Sequence, residues 1–131
     1  MYRNIINPWI WQDNYGYVQA VDIRNPTRQV YVAGQCSVDA HGVPQYRGDM
    51  AKQLLAALDN VETVLDAAGL RLADIVSMRL YVTDLALYFT ALPVLTHRLD
   101  TAGCRAAGTL LQVSALALPE LLVEIEAVAT A

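Results

Sequence analysis

Cysteine is nearly absent from this chain. Only Cys36 and Cys104 occur in 131 residues, with no Cys-x-x-Cys spacing, so they read as free thiols rather than a disulfide framework. Histidine is equally scarce: His41 falls in a turn-rich segment and His97 on a helical one. Neither has a Cys, Asp or His partner at metal-ligand spacing, and no metal site is expected. Long apolar runs are missing as well. None reaches the roughly 18 residues of a membrane span, and the N-terminal MYRNIINPWIWQDN lacks the unbroken apolar core of a secretory signal. A cytoplasmic location with no membrane partner is the expectation. Basic clusters are lacking too, because the nine Lys and Arg residues are scattered singly against thirteen acids, for a net charge of −4. Such a surface repels a phosphate backbone, which argues against nucleic acid as a partner. There is no P-loop, no GxGxxG after a strand, no HExxH and no GxSxG.

What the chain has is apolar material: 55% of its residues are hydrophobic. A single domain over residues 1–131 is long enough to bury a core, yet its interior is limited, so part of that apolar surface is expected to meet other subunits. After an aromatic N-terminal segment, Tyr17–Ile23 and Gln29–Gly34 read as strands joined in a hairpin by the turn at Arg24–Thr27. The clearest helix starts at Met50, with Leu54, Leu58, Val61 and Leu65 at helical spacing, Asp49 as N-cap and Gly69 just past its end. Ile75–Val82 reads as a strand, with Val76, Met78, Leu80 and Val82 on one face. Pro93 interrupts the next helical stretch, so a short turn near Leu85–Phe89 and a main helix from about Thr90–Leu92 are expected. TLLQVS and LLVEIEAVA close the chain as strands. The order β-β-α-β-α-β-β, with room for an extra N-terminal strand, gives an α+β fold of one sheet with two helices on one face.

Two carboxylates draw notice. Glu124 and Glu126 alternate with Val123, Ile125 and Ala127, so both project from one face of a strand. Two like charges there call for a wet edge, a partner or a proton-handling role in a cleft. Arg79, mid-strand beside Ser77 and Tyr81, is the natural ion-pair partner if it shares that face. Cys36 is a nucleophile only if a cation lowers its pKa, and otherwise a small buried side chain.

The segments GYVQAV, VYVAGQ, VDAHG, GDMAKQLLAALDNVETVLDAAG, DIVSMRLYVTD and LPELLVEIEAVA together resemble the RidA family, also called YjgF or L-PSP. The resemblance runs nearly end to end. It implies a chorismate-mutase-like α+β fold, one mostly antiparallel sheet with two helices on one face. It further implies a homotrimer with ligand clefts between subunits, and hydrolytic deamination of reactive enamines and imines without a cofactor. In that family an arginine grips the substrate carboxylate and a glutamate positions water.

Carried over residue by residue, Glu124 matches the glutamate, Tyr17 the cleft tyrosine and Gly34 the glycine beside the ligand. The remaining positions depart from the pattern. Gly108 stands where the arginine belongs, Ala33 replaces a serine, Leu92 an asparagine, and Leu110 a small residue or cysteine. The resulting cleft is more apolar and has lost its cation, which costs on the order of a few kcal/mol of binding to a carboxylate. Arg105, three residues upstream and about 10 Å of extended backbone from Gly108, is a substrate-binding candidate if a bend through Ala106, Ala107 and Gly108 brings it back, with a surface role the favoured reading. Weak activity on 2-imino acids is therefore expected. The leading expectation is a family trimer that binds or hydrolyses a small imine-like or carbonyl-containing molecule. A non-catalytic ligand-binding or regulatory trimer is the alternative, and endoribonuclease action ranks below both.

Overall fold

Strict alternation in Val123–Thr130 creates the centre of the molecule. Val123, Ile125, Ala127 and Ala129 are each no more than 4% exposed, while Glu124, Glu126 and Val128 turn to the opposite face. A computed structural model describes all 131 residues. In chain order the elements are β1 (Tyr2–Ile6), β2 (Ala20–Arg24), β3 (Gln29–Cys36), α1 (Met50–Ala67), β4 (Ile75–Val82), α2 (Leu85–Thr101), β5 (Ala107–Gln112) and β6 (Val123–Thr130). The main sheet has the order β3-β6-β4-β5. Strand β6 runs antiparallel to β3 and β4, and β5 joins β4 in parallel. A parallel pair needs a crossover, and α2 supplies it.

Helix α1 forms as its sequence dictates. The Asp49 carboxylate accepts from the Lys52 N–H at 3.0 Å, and the far end closes on Gly69 at φ 75°. There Leu70 N–H donates to Leu65 O at 2.9 Å, a Schellman closure that buries Leu70 as its hydrophobic partner. Leu54, Leu58, Val61 and Leu65 are fully buried against the sheet, each contributing about 2 kcal/mol of transfer free energy. Helix α2 lies beside α1, tied by Arg98, which donates to Asp59 at 2.8 Å and to Glu62 at 3.4 Å.

Three expectations need correction. Strand β2 does not form a hairpin with β3; it pairs antiparallel with β1, from Tyr2 opposite Arg24 to Ile6 opposite Ala20. The Arg24 guanidinium lies 4.8 Å from the centre of the Tyr2 ring, a cross-strand contact that β3 does not offer. Helix α2 is also continuous through Pro93. That residue sits on the exposed face, where the carbonyl left without its N–H can reach water, while Ala91, Leu92, Leu95 and Leu99 hold both halves on the core. Finally, a register shift between Ile75 and Ser77 places Ile75, rather than Val76, in the core.

Candidate functional site

The segment before β2 crosses the β5 edge and fixes one group of candidate residues. Gln12, fully buried, accepts from Gln19 Nε2 at 3.1 Å, and Asn7 Oδ1 accepts from the Gln19 N–H at 2.8 Å. Gly16 adopts φ 80°, and Val18 N–H then donates to Ala106 O at 2.9 Å. This seats Tyr17 directly on Gly108: a Cβ built at Gly108 lies 3.0 Å from the Tyr17 Cβ. Trp11 packs edge-on against Tyr17 with centroids 6.3 Å apart.

Beneath these rings is a cavity of about 410 Å³. Met78 and Leu80 of β4 with Gly108 and Leu110 of β5 form one wall, and Tyr88, Leu92, Leu95 and Leu99 of α2 the other. Thirteen of its sixteen lining residues are hydrophobic. Burial pushes the Tyr88 hydroxyl up to about 12 and the Cys104 thiol up to about 11. Both therefore stay neutral at physiological pH, and no Asp, Glu, Lys, Arg or His lines the cavity.

The second group lies on the opposite face of the sheet. Strand β3 bulges between Val32 and Gln35, where Gly34 sits. A Cβ at Gly34 would lie 1.9 Å from Glu124 Oε1, so the absence of a side chain is what lets the carboxylate rest over the strand. Cys36 pairs across from Glu124. Its thiol is pushed up to about 11, first by burial and second by the Glu124 charge, which makes it a poor nucleophile. Glu126 is otherwise engaged: it accepts from the Tyr81 hydroxyl at 2.5 Å and pairs with Arg79 at 3.4 Å. That bond raises the Tyr81 pKa. Of the two carboxylates, Glu124 is the one without a cationic or hydroxyl partner.

The structure thus brings Tyr17, Leu92, Gly108 and Leu110 together, and Gly34 and Glu124 together, with exposed Ala33 beside Gly34. Within one chain it does not join the two groups. Arg105 belongs to neither. It is exposed in an adjoining polar depression, which shares Gly16, Tyr17, Leu99 and Cys104 with the cavity and adds Asp13, His97 and Asp100, and its carbonyl accepts from Arg3 Nη2 at 2.8 Å.

Sequence reasoning passed over Trp11, Tyr15, Tyr88 and Phe89 as cavity residues, although the aromatic density of Trp9–Tyr17 signals them. It also missed two positioning amides. Asn60 donates to the carbonyls of Cys36 and Val38 at 2.8 and 3.0 Å, fixing the end of β3. Buried Gln53 donates to Tyr46 O and Glu120 O and accepts from Leu122 N–H, holding the entry to β6.

These features define a class: a small α+β domain with its cleft residues divided between two faces of one sheet. The chain belongs to the RidA (YjgF, L-PSP) family, whose model, described as Endoribonuclease L-PSP, matches residues 12–131. The 2-iminobutanoate/2-iminopropanoate deaminase of Escherichia coli K12 is 38% identical over 69 residues, covering 53% of this chain and 51% of that protein. The alignment therefore spans about half the length of that relative. A RutC family protein of Pyrococcus horikoshii is 28% identical over 113 residues, covering 86% of this chain and 85% of the relative. Among solved structures, YyfB from Yersinia pestis, a Rid family protein of unknown function, superposes with a TM-score of 0.88 at 34% identity over the whole of both chains. TdcF from E. coli, solved with bound serine, gives a TM-score of 0.72 at 31% identity over 88% of this chain and 87% of its own. No helix is long and apolar enough to cross a membrane.

Proposed function

We propose that this protein hydrolyses a small reactive imine or enamine, without a cofactor, in clefts between the subunits of a homotrimer. The observation that carries the reading is the Glu124 carboxylate, laid over Gly34 without a cationic or hydroxyl partner. It stands on the sheet face opposite the Tyr17–Gly108 cavity, so a neighbouring copy is what would complete each site. The likeness to 2-iminobutanoate/2-iminopropanoate deaminase supports the reaction class.

An imine carbon is already electrophilic, so positioning and proton transfer supply most of what the reaction needs. Glu124 takes a proton from water as the water oxygen bonds to the imine carbon, the C=N π pair moves to nitrogen, and Glu124 hands that proton on to the nitrogen. The resulting carbinolamine then collapses: its hydroxyl proton passes by way of Glu124 to the nitrogen, the C=O forms, the C–N bond breaks, and nitrogen departs as ammonia. Nothing is oxidised or reduced.

The test is ammonia release, above a buffer control, from a panel of imines generated in situ, with Glu124→Gln alongside. Release that depends on Glu124 is expected. No release from any imine removes the deaminase reading and leaves the non-catalytic ligand-binding trimer, which Gly108, Ala33 and Leu92 favour. Sedimentation tests the assembly, with three times 14.4 kDa expected. Endoribonuclease activity, named in the family description, runs against the net charge of −4.

A further inference from the structure

The cavity over Gly108 says what kind of molecule enters. Its volume of about 410 Å³ compares with the ~150 Å³ of a dry protein cavity that binds benzene. It therefore has ample room for an aromatic ring or a branched alkyl group with a functional group attached. Its walls are Leu and Met side chains and aromatic faces, and no Asp, Glu, Lys, Arg or His lines it. A carboxylate entering here is stripped of water with no counter-charge in the lining. Arg105 is not part of this lining; it stands exposed in the adjoining polar depression.

The polar side chains lining the cavity, Trp11, Tyr15, Tyr17, Tyr88 and Thr109, are all neutral, and Tyr88 is the buried one among them. The Tyr88 hydroxyl makes no hydrogen bond within the chain, and no fully buried side-chain polar atom lacks a partner. Tyr88 is only 4% exposed and lines the cavity. Neutral hydroxyls among mostly apolar walls suit an imine nitrogen or carbonyl oxygen better than an anion.

We infer that the ligands of this protein are neutral molecules without a carboxylate: aromatic or branched aliphatic imines of the kind formed by oxidation of primary amines, or the matching aldehydes. This deepens the proposed function and rests on it only for the reaction; the ligand class stands on the cavity.

The test pairs binding with turnover. Phenylacetamide and phenylacetate have nearly the same shape and differ in charge, and both are titrated against the intact protein by tryptophan fluorescence and ligand-observed NMR. The amide is expected to bind at least about tenfold more tightly. Equal or tighter binding of phenylacetate, or no binding of either at millimolar concentration, overturns the ligand class. Tyr88→Phe should weaken the amide several-fold with no change in Tm. Unchanged amide affinity in that variant would remove the hydroxyl from the argument and overturn the assignment of that group.

Ammonia release is then compared for the imine made from benzylamine by an amine oxidase and for 2-iminobutanoate. Faster release from the neutral imine is expected. Equal or faster release from 2-iminobutanoate overturns the ligand class and leaves the deaminase reading intact. No release from either, with amide preference retained, overturns only the deaminase reading. Gly108→Arg should shift preference toward phenylacetate once Tyr17 yields a few tenths of an ångström at the 3.0 Å contact. Leu110→Arg serves the same purpose where that variant does not fold. An unchanged preference in a folded Arg variant also counts against the inference.

Discussion

Replacing Glu124 by Gln keeps the side chain's size and removes its charge, and Cys36 reports the change. The two residues face each other across the β3–β6 pair. The Cys36 thiol is held at about 11, rather than the ordinary 9.0, by burial first and by the Glu124 charge second. Burial survives the substitution and the charge does not, so the thiol pKa should fall part of the way back. A fall of half a unit to one unit multiplies the thiolate present at pH 8 by about three to ten. Each thiolate becomes less nucleophilic as its pKa drops, with a Brønsted slope near 0.4–0.5, so the net gain in alkylation rate is about two- to threefold. The assay is iodoacetamide labelling between pH 7 and 10, read by peptide mass spectrometry. Cys104, only 5% exposed and remote from Glu124, is the internal reference. Cys36 labelling that stays constant or slows relative to Cys104 would show that the carboxylate does not rest beside the thiol. The geometry of the cleft floor would fall with it.

Three further outcomes are expected. Gly34→Ala places a Cβ 1.9 Å from Glu124 Oε1; the flexible carboxylate swings aside, so unfolding free energy should change by less than about 1 kcal/mol while Cys36 labelling rises and ammonia release falls. Asn60→Ala leaves the carbonyls of Cys36 and Val38 without their shared donor, and urea denaturation should register a loss of about 1–3 kcal/mol. The Cys104 thiol ionises near 9.0 when unfolded but about 11 when folded, because burial disfavours its charge. The unfolded chain therefore binds fewer protons in that window, and stability, whole below about pH 9, should fall toward pH 11 by about 1.4 kcal/mol per pH unit from this group. Cys104→Ala should flatten the slope in urea titrations.

Helix α1 was legible in the sequence because its cap, its apolar spacing and its closing glycine are all local. The strand Ile75–Val82 was legible for the same reason, as was the alternation that sets Glu124 and Glu126 apart from the core. Pairing is a different matter. Alternation marks Ala20–Arg24 as a strand without saying that Tyr2–Ile6, rather than Gln29–Cys36, lies beside it. Pro93 misled because the rule against internal proline takes no account of which helix face carries it. The Tyr17–Gly108 and Gly34–Glu124 contacts depend on a bridge from Val18 to Ala107 and on a bulge in β3. Both bring together residues roughly ninety positions apart, and no local pattern encodes them. The family resemblance supplied those names; the register supplied the reason.

The cavity over Gly108 and the carboxylate over Gly34 share no side chain and no strand. One is built on β4, β5 and α2, the other on β3 and β6. Residues that set a ligand's shape and charge can therefore change without disturbing the group that would activate water. Leu92, Gly108 and Leu110 can drift while Glu124 and Gly34 stay where they are. In such a scaffold specificity and reactivity are separable traits, and a single substitution at the floor of the cavity can redirect the protein to another class of molecule.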